Sequence, residues 1–353
     1  MKFLTDFSKY VITTNTSLLD AMEQLDKATP KILYLTENDK LVASLTDGDI
    51  RRWILKTGNL NVNALQAANM APKCVHEENV AEAEKLMTKH GLCSLPQVNH
   101  EGKIVSLIVN RAQEGIKSKE LINTPVVIMA GGIGSRLYPY TKILPKPLIP
   151  IGDVPIIERI IQFFVNQGCR RFYVIVNYKK NMIKAYFNEV EHDYDIIFID
   201  EDIPLGTGGG LSLLKGLIQE PFILTNCDNI INIDFSEAIK IHHSLSNTIT
   251  VLSSVQKVVI PYGVIHTKEN GSIDYMEEKP ALPYLINTGC YIVNPEVIEG
   301  LVKDQKIDFP SIITKQLNNG RCVGIYPINS EDFLDMGQFD AMEKMKNVLH
   351  VTD

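Results

Sequence analysis

The sequence predicts an α/β protein in two parts: a small repeated module of strands and helices, then a larger domain built on an open, mixed and mostly parallel sheet. Three observations predict this. The first 120 of the 353 residues contain two copies of one helix–hairpin unit. Residues 125–130 are a continuous apolar run, as in a strand buried on both faces of a parallel sheet, and glycines 131, 132 and 134 follow at once. A second apolar run, FILTNCDNI (222–230), carries Asp228 at its end. A chain of this length fits about two domains of roughly 100–200 residues each.

The first copy of the repeat holds SLLDAMEQLDK (17–27), KILYLTE (31–37), the turn NDK and LVASLTDGDIRR (41–52). The second holds NVAEAEKLMTKHG (79–91), SLPQVN (94–99), HEGK and IVSLIVNRA (104–112). The offset is 62 residues at the helix, Leu18 to Val80, and 63 at the second strand, Leu41 to Ile104. Each copy is a helix with apolar residues at helical spacing, then a polar turn between two short strands. The repeat resembles a tandem pair of CBS domains (βαββα type), over about a third of the chain. That resemblance implies that Thr46 and Asp49 hold the ribose of a regulatory adenosine nucleotide. Copy two has Val109 and Ala112 at those places, so one nucleotide site at most is implied. The same two residues also suit the start of the following helix, where a hydroxyl and a carboxylate satisfy free N–H groups. CBS pairs associate face to face, which implies a homo-oligomer, most simply a twofold dimer. Residues 112–124, mostly polar and ending before Pro125, read as the linker between domains 1–120 and 121–353.

Composition narrows the function. Hydrophobic residues are 45 % and charged residues 22 %, ordinary for a soluble globular protein and too apolar for a disordered one. No apolar stretch reaches the ~18–20 residues of a membrane span, and Asp6 interrupts any signal-peptide core, so a cytoplasmic protein is expected. The six cysteines form no CxxC pair and read as free thiols. The net charge of −7 argues against nucleic acid as a partner. Residues 1–120 carry 15 basic and 15 acidic side chains, whereas 121–353 carry 20 and 27. An acidic domain that handles phosphates must focus its positive charge locally, or use metal and backbone N–H groups.

PVVIMAGGIGSRLYPYTKILPKPLIPIG (125–152) has that focus. Glycines without Cβ atoms turn tightly and let phosphate oxygens approach backbone N–H groups. Ser135, Arg136 and Lys146 add donors and charge. There is no GxxxxGK[ST], so this is no P-loop. The third glycine of GxGxxG is missing, and Pro139, Pro145, Pro147 and Pro150 prevent a helix from following directly. GGxGxRL, a proline-rich excursion and PKPL together resemble the signature of sugar-1-phosphate nucleotidylyltransferases, a family with a Rossmann-like fold. The resemblance covers residues 124–350. It implies that Gly131, Gly132, Gly134, Ser135 and Arg136 wrap a nucleoside triphosphate and that Lys146 touches the reacting phosphates.

The other landmarks come in the family's order. RRFYVIVNY (170–178) and YDIIFID (194–200) read as strands. DEDIPLGTGGGL (200–211) resembles a stretch ending LGTAGAL, where a Gly-Thr turn heads a helix that closes over the nucleobase. This implies base-binding roles for Glu201, Gly206 and Thr207. Gly208 and Gly210 stand where that stretch has alanines, at about 1 kcal/mol each inside a helix. By resemblance, Gly263 of PYGVI, Glu278 and Lys279 of EEKP, and Asn287 and Gly289 of NTGCYI line a sugar-phosphate pocket. Asp228 and Asp335, the latter in FLDMG (333–337), are the implied ligands of Mg²⁺.

The implied reaction is attack of a sugar 1-phosphate on the α-phosphorus of an NTP, with Arg136, Lys146, Asp228 and Asp335 catalytic. A sugar phosphate is already ionised near pH 7, so no general base is needed. The layout is most similar to guanylyltransferases of legionaminic-acid-type pathways, which implies GTP and glucosamine 1-phosphate as partners. Mannose-1-phosphate guanylyl transfer and thymidylyl or uridylyl transfer stay open, as does a non-catalytic regulatory subunit.

Overall fold

The computed structural model describes residues 2–110 and 120–336. The chain divides into two compact units, Met1–Ser118 with Val255–Ile286, and Lys119–Ser254 with Asn287–Asp353. Most of the expected linker, 111–119, lies outside the described residues, as does Gly337 of the FLDMG motif.

In the first unit β1 (Lys2–Leu4) and β2 (Val11–Thr13) lead to α1 (Leu18–Lys27), β3 (Ile32–Glu37), β4 (Lys40–Thr46), α2 (Asp47–Thr57) and α3 (Ala64–Ala67). Then come β5 (Val75–His76), α4 (Val80–His90), β6 (Ser94–Val98) and β7 (Ile104–Val109). Both copies of the repeat share one topology. β2 pairs parallel with β3 and β3 antiparallel with β4, as β5 does with β6 and β6 with β7. The chain's first strand, β1, lies antiparallel against β7.

Local sequence explains these elements. Ser17 caps α1 by accepting the Asp20 N–H at 3.1 Å, and Leu18, Ala21, Met22 and Leu25 form its buried stripe. Asn38 and Asp39 take φ of +50° and +65°, the conformation of a two-residue hairpin turn. Gly58 and Gly91 end α2 and α4 in the left-handed region. Thr46 and Asp49 form a capping box at the head of α2. The Thr46 N–H and hydroxyl donate to Asp49 Oδ2 at 2.9 and 2.6 Å, and the Asp49 N–H donates back to Thr46 Oγ1 at 3.4 Å. Both side chains thus serve the helix start.

The second unit begins with β8 (Val126–Met129), the short helix α5 (Tyr140–Ile143), the hairpin β9 (Pro150–Ile151) and β10 (Val154–Pro155), and α6 (Ile156–Val165). It continues with β11 (Arg171–Val176), α7 (Lys180–Glu189), β12 (Asp195–Asp200), α8 (Gly206–Gly209), β13 (Phe222–Asn226), β14 (Asn229–Ile231) and α9 (Phe235–Ser244). β15 (Ile249–Val259) leads to the ribbon β16 (Gly263–Thr267) and β17 (Ile273–Glu278), which belongs to the first unit. The chain returns through β18 (Ala281–Val293), α10 (Glu296–Glu299), α11 (Phe309–Asn318), β19 (Val323–Ile328) and β20 (Phe333–Asp335).

The main sheet has the order β12-β11-β8-β13-β18-β15-β19. β12, β11, β8 and β13 are parallel, β18 runs antiparallel to β13, and β19 is parallel to β15. The expected mixed, mostly parallel sheet is present. Alternate residues face opposite layers. Val126, Ile128, Phe172 and Val174 pack with Ile157, Ile161 and Phe164 of α6. Val127, Tyr173 and Ile175 pack on the other face with Val297, Phe309 and Ile312. Covered on both sides, the sheet leaves only its strand ends for ligands. Among the described residues, no helix is long and apolar enough to cross a membrane. All six cysteines are free thiols.

Thr46→Ala removes one half of the capping box and should destabilise the first unit by about 1 kcal/mol. Denaturant unfolding followed by circular dichroism, wild type against variant, checks the value.

Candidate active site

β8 delivers the chain to the carboxyl edge of the sheet, where the glycine-rich turn begins. Gly134 has φ of +70°, and a Cβ there would lie 3.0 Å from Lys146 Cβ and from Thr141 Cγ2. Glycine is therefore required both by the turn and by the close approach of Lys146. The proline-rich excursion is not free loop. The Thr141 hydroxyl donates to the Gly134 carbonyl at 2.8 Å, and the Tyr178 hydroxyl donates to the Thr141 carbonyl at 3.2 Å. Lys179 Nζ donates to the carbonyls of Lys142 and Ile143, at 2.6 Å each. This lashing to the loop after β11 fixes Lys146, whose ammonium forms an ion pair with Asp228 at the end of β13. The two side chains are only 13 % and 12 % exposed.

Two cavities open at this edge. The larger, about 350 Å³, is lined by all eight residues that the sequence marks for the nucleotide: Gly131, Gly132, Gly134, Ser135, Arg136, Glu201, Gly206 and Thr207. Lys146 and Asp228 line it too. The second, about 270 Å³, is lined by Asn287, Gly289 and Asp335. Met129, Arg136, Thr207, Asn226 and Asp228 border both. The other three residues expected at a sugar phosphate belong to the ribbon of the first unit. There Gly263 is registered opposite Glu278, and Lys279 takes a positive φ of 47°.

The second cavity also holds residues that the sequence reading passes over: Asn226, Asn229, Thr288 and Tyr291. They converge because β18 pairs antiparallel with β13. Asn229 Nδ2 donates to the Thr288 carbonyl at 2.5 Å, and the Thr225 hydroxyl donates to Asn229 Oδ1 at 3.0 Å. Asn287 Nδ2 donates to the Tyr291 hydroxyl at 2.8 Å. Only the asparagine doublet flanking Cys-Asp at 226–229 signals this in the sequence.

Asp228 and Asp335 come from adjoining backbone. β14 pairs with β20, Asn229 opposite Asp335, and the Met336 N–H donates to the Asp228 carbonyl at 2.8 Å. Both carboxylates line the second cavity. Among the described residues, no group of three or more His, Cys, Asp or Glu is arranged to hold a metal ion. Two hard carboxylates beside a phosphate-sized space fit Mg²⁺, which takes one or two carboxylates and completes its shell with phosphate oxygens and water.

Glu201 sits just after β12, 4 % exposed. Burial pushes its carboxyl up to about 7, opposed by a hydrogen bond from the Leu205 N–H. The glycines that follow are explained by close packing. A Cβ on Gly208 would lie 2.6 Å from Ile312 Cδ1 and 3.0 Å from the Phe309 nitrogen, and one on Gly210 would collide with Glu201 Oε1. The segment forms only one turn of α-helix and then a 3₁₀ turn, Gly210–Leu214, so the penalty for glycine within a long helix does not arise. The turn is clasped from outside. Asp308 Oδ1 accepts from the Thr207 N–H at 3.1 Å, and the Thr207 hydroxyl accepts from the Phe309 N–H at 3.1 Å.

A mixed, mostly parallel α/β sheet with a glycine-rich turn and two cavities at its carboxyl edge has the layout in which open α/β sheets take their ligands. Residues 125–350 match the family described as nucleotidyl transferase, and the chain belongs to that family. It is 29 % identical over 245 residues to the UTP–glucose-1-phosphate uridylyltransferase of Synechocystis, a match covering 63 % of each chain. It is 33 % identical over 205 residues to the mannose-1-phosphate guanylyltransferase catalytic subunit beta of Drosophila pseudoobscura, covering 55 % of each. The chain thus spans somewhat over half the length of these relatives. The crystal structure of HddC from Yersinia pseudotuberculosis shares the fold, with a TM-score of 0.51 at 24 % identity over 64 % of this chain and 99 % of that one.

Gly210→Ala should displace Glu201 and destabilise the second unit by about 1–3 kcal/mol, as overpacking does. Gly300→Ala, whose Cβ would make only ordinary contacts at 3.7 Å and whose φ of −75° suits any residue, is the control for glycine replacement away from the site. Thermal unfolding of both variants tests this; equal transitions would mean that the clash is relieved without cost.

Proposed function

We propose that the chain transfers a nucleoside monophosphate from an NTP to a sugar 1-phosphate, releasing pyrophosphate. One observation carries this reading: two cavities of substrate size share a wall made by Arg136, Asn226 and Asp228. The larger takes the nucleotide on the glycine-rich turn and the second takes the sugar phosphate. Their shared border is where the α-phosphorus and the attacking phosphate oxygen meet.

The chemistry asks for positioning and charge neutralisation, because two anions must be brought together. Backbone N–H groups of residues 131–135 and the forked guanidinium of Arg136 hold the β- and γ-phosphates that leave. Lys146 stabilises charge that grows on the α-phosphate. For this it must turn from Asp228 toward substrate, a short swing for a flexible side chain. Asn287 and Gly289 hold the sugar phosphate. Asp228 and Asp335 would hold Mg²⁺, which when bound offsets the negative charge of the phosphates. No general base is needed.

The nucleotide is GTP and the sugar glucosamine 1-phosphate or a close relative, by likeness to the guanylyltransferases. Residues 1–120 act as a CBS-type module that dimerises the chain and takes a regulatory nucleotide near Thr46 and Asp49. Residues 121–353 form the transferase, and the enzyme works in the cytoplasm. A matrix of four NTPs against several sugar 1-phosphates, read by pyrophosphate release, tests the reading. GTP with a hexose or hexosamine 1-phosphate should release pyrophosphate in step with nucleotide-sugar formation; no release from any pair would leave a non-catalytic subunit.

Asp228→Asn and Asp335→Asn should each abolish turnover while the circular dichroism spectrum stays native. Near-normal rates at ordinary Mg²⁺ for either would remove it from the metal site. Lys146→Ala should lower kcat more than it raises KM, since its contact strengthens as the transition state forms. A change confined to KM would make Lys146 a ground-state binding group.

A further inference from the structure

Where the backbone pairing of β13 with β18 stops, one side chain continues it. The ladder ends at Thr225, opposite Cys290. Just beyond that end lie Asp228 on one segment and Asn287 and Gly289 on the other, all lining the second cavity. The Asn229 amide bridges the two segments. Its Nδ2 donates to the Thr288 carbonyl at 2.5 Å, and its Oδ1 accepts from the Thr225 hydroxyl at 3.0 Å. The reversed amide would set its oxygen against the Thr288 carbonyl, acceptor against acceptor, so the orientation is fixed. Asn229, Thr225 and Thr288 are all buried, and solvent does not compete for these bonds.

The turn at 287–289 is built around that contact. The Thr288 hydroxyl donates to the Leu252 carbonyl at 2.7 Å, and Asn287 Oδ1 accepts from the Gly289 N–H at 3.0 Å. Gly289 has φ of +77°, and a Cβ there would collide with the Asn226 amide and lie 3.4 Å from Asn229 Nδ2. The turn therefore lies close against both asparagines, which glycine permits. On its other side Asn229 follows Asp228 directly and stands opposite Asp335 in the β14–β20 pair. One residue thus joins the backbone of both carboxylates to the 287–289 turn.

We infer that Asn229 is a positioning residue for the acceptor. It sets the distance between the Asp228–Asp335 pair and the 287–289 turn, and so aligns the attacking phosphate oxygen with the α-phosphorus. It acts through Thr288 and Gly289. This rests on the reading of the second cavity as the sugar-phosphate site. In-line transfer needs aligned reacting atoms, and a misplacement of about 1 Å costs about a hundredfold in rate. Neither Asn229 nor the turn lines the larger cavity, so loss of the bridge should spare NTP binding.

The test uses the full-length protein with the NTP and sugar 1-phosphate that the wild type turns over best. Asn229→Leu keeps the volume and removes both hydrogen bonds. It should lower kcat/KM for the sugar 1-phosphate about ten- to a hundredfold, while the calorimetric Kd for the NTP alone stays within about twofold. Thr225→Val removes the hydroxyl that orients the amide and should have a smaller effect in the same direction. The double variant should lose no more than Asn229→Leu alone, since both substitutions break one chain of bonds. A structural role without positioning would weaken both substrates together. Equal losses for NTP and sugar phosphate, a sugar-phosphate kcat/KM within about threefold of wild type in Asn229→Leu, or effects that multiply in the double variant would overturn the assignment. If Asn229→Leu does not fold, Thr225→Val decides alone: a loss confined to the sugar phosphate supports the assignment, and an unchanged kcat/KM overturns it. If the wild type turns over no pair, the transfer reading fails separately. Calorimetry with glucose, mannose and glucosamine 1-phosphates then decides: about tenfold weaker binding to Asn229→Leu supports the positioning role, and equal affinity, or no binding to the wild type, overturns it.

Discussion

The ion pair between Lys146 and Asp228 holds the site in shape. One partner comes from the proline-rich excursion after β8 and the other from the end of β13, the two central parallel neighbours. An ion pair this deeply buried adds little net stability, because desolvation offsets its attraction, yet removing either partner strands the other charge. Its effect is positional. It draws the excursion across the sheet edge, so that one wall, Arg136 and Asp228, serves two cavities. It also keeps the Lys146 ammonium at the wall of the larger cavity.

A second constraint is space. Gly131, Gly208 and Gly210 stand where a methyl group would strike Glu201 or the segment before and within α11. The Gly208 contacts join residues about a hundred positions apart, and together the three hold the 201–210 turn against both the end of β12 and α11. The Asp308 clasp on Thr207 repeats the theme: the second cavity's rim, Phe309 and Pro310, is continuous with the turn that borders the first. The turn that borders the first cavity is thereby coupled through packed backbone to the rim of the second.

Much of this was legible in the sequence, for physical reasons. Backbone cradles need glycine, and a phosphate site needs concentrated cations, so GGIGSR and PKP announce themselves. Strands β8, β11, β12 and β13 are read from apolar runs because they are buried on both faces. Thr46 and Asp49 fitted two roles, and the capping box shows the local one. The asparagines and Thr288 of the second cavity were not legible, since only the antiparallel pairing of β18 with β13 brings them together. Nor was the reason for Gly208 and Gly210, which depends on Ile312, Phe309 and Glu201 arriving from elsewhere. The grouping of residues 255–286 with the first unit likewise follows from tertiary contacts that no local pattern encodes.

The central claim is that the two substrates sit side by side and react directly. The lining thiol of the larger cavity, Cys227, is held protonated: burial and the neighbouring Asp228 push it up to about 12, far from a competent nucleophile. The stereochemical course at the α-phosphorus tests this most directly. A nucleoside 5′-(α-thiotriphosphate) of known configuration is turned over with the sugar 1-phosphate, and the product's configuration is read by ³¹P NMR. A single in-line displacement across the shared wall predicts inversion. Retention would mean two displacements through a covalent nucleotidyl–enzyme, and would contradict the account.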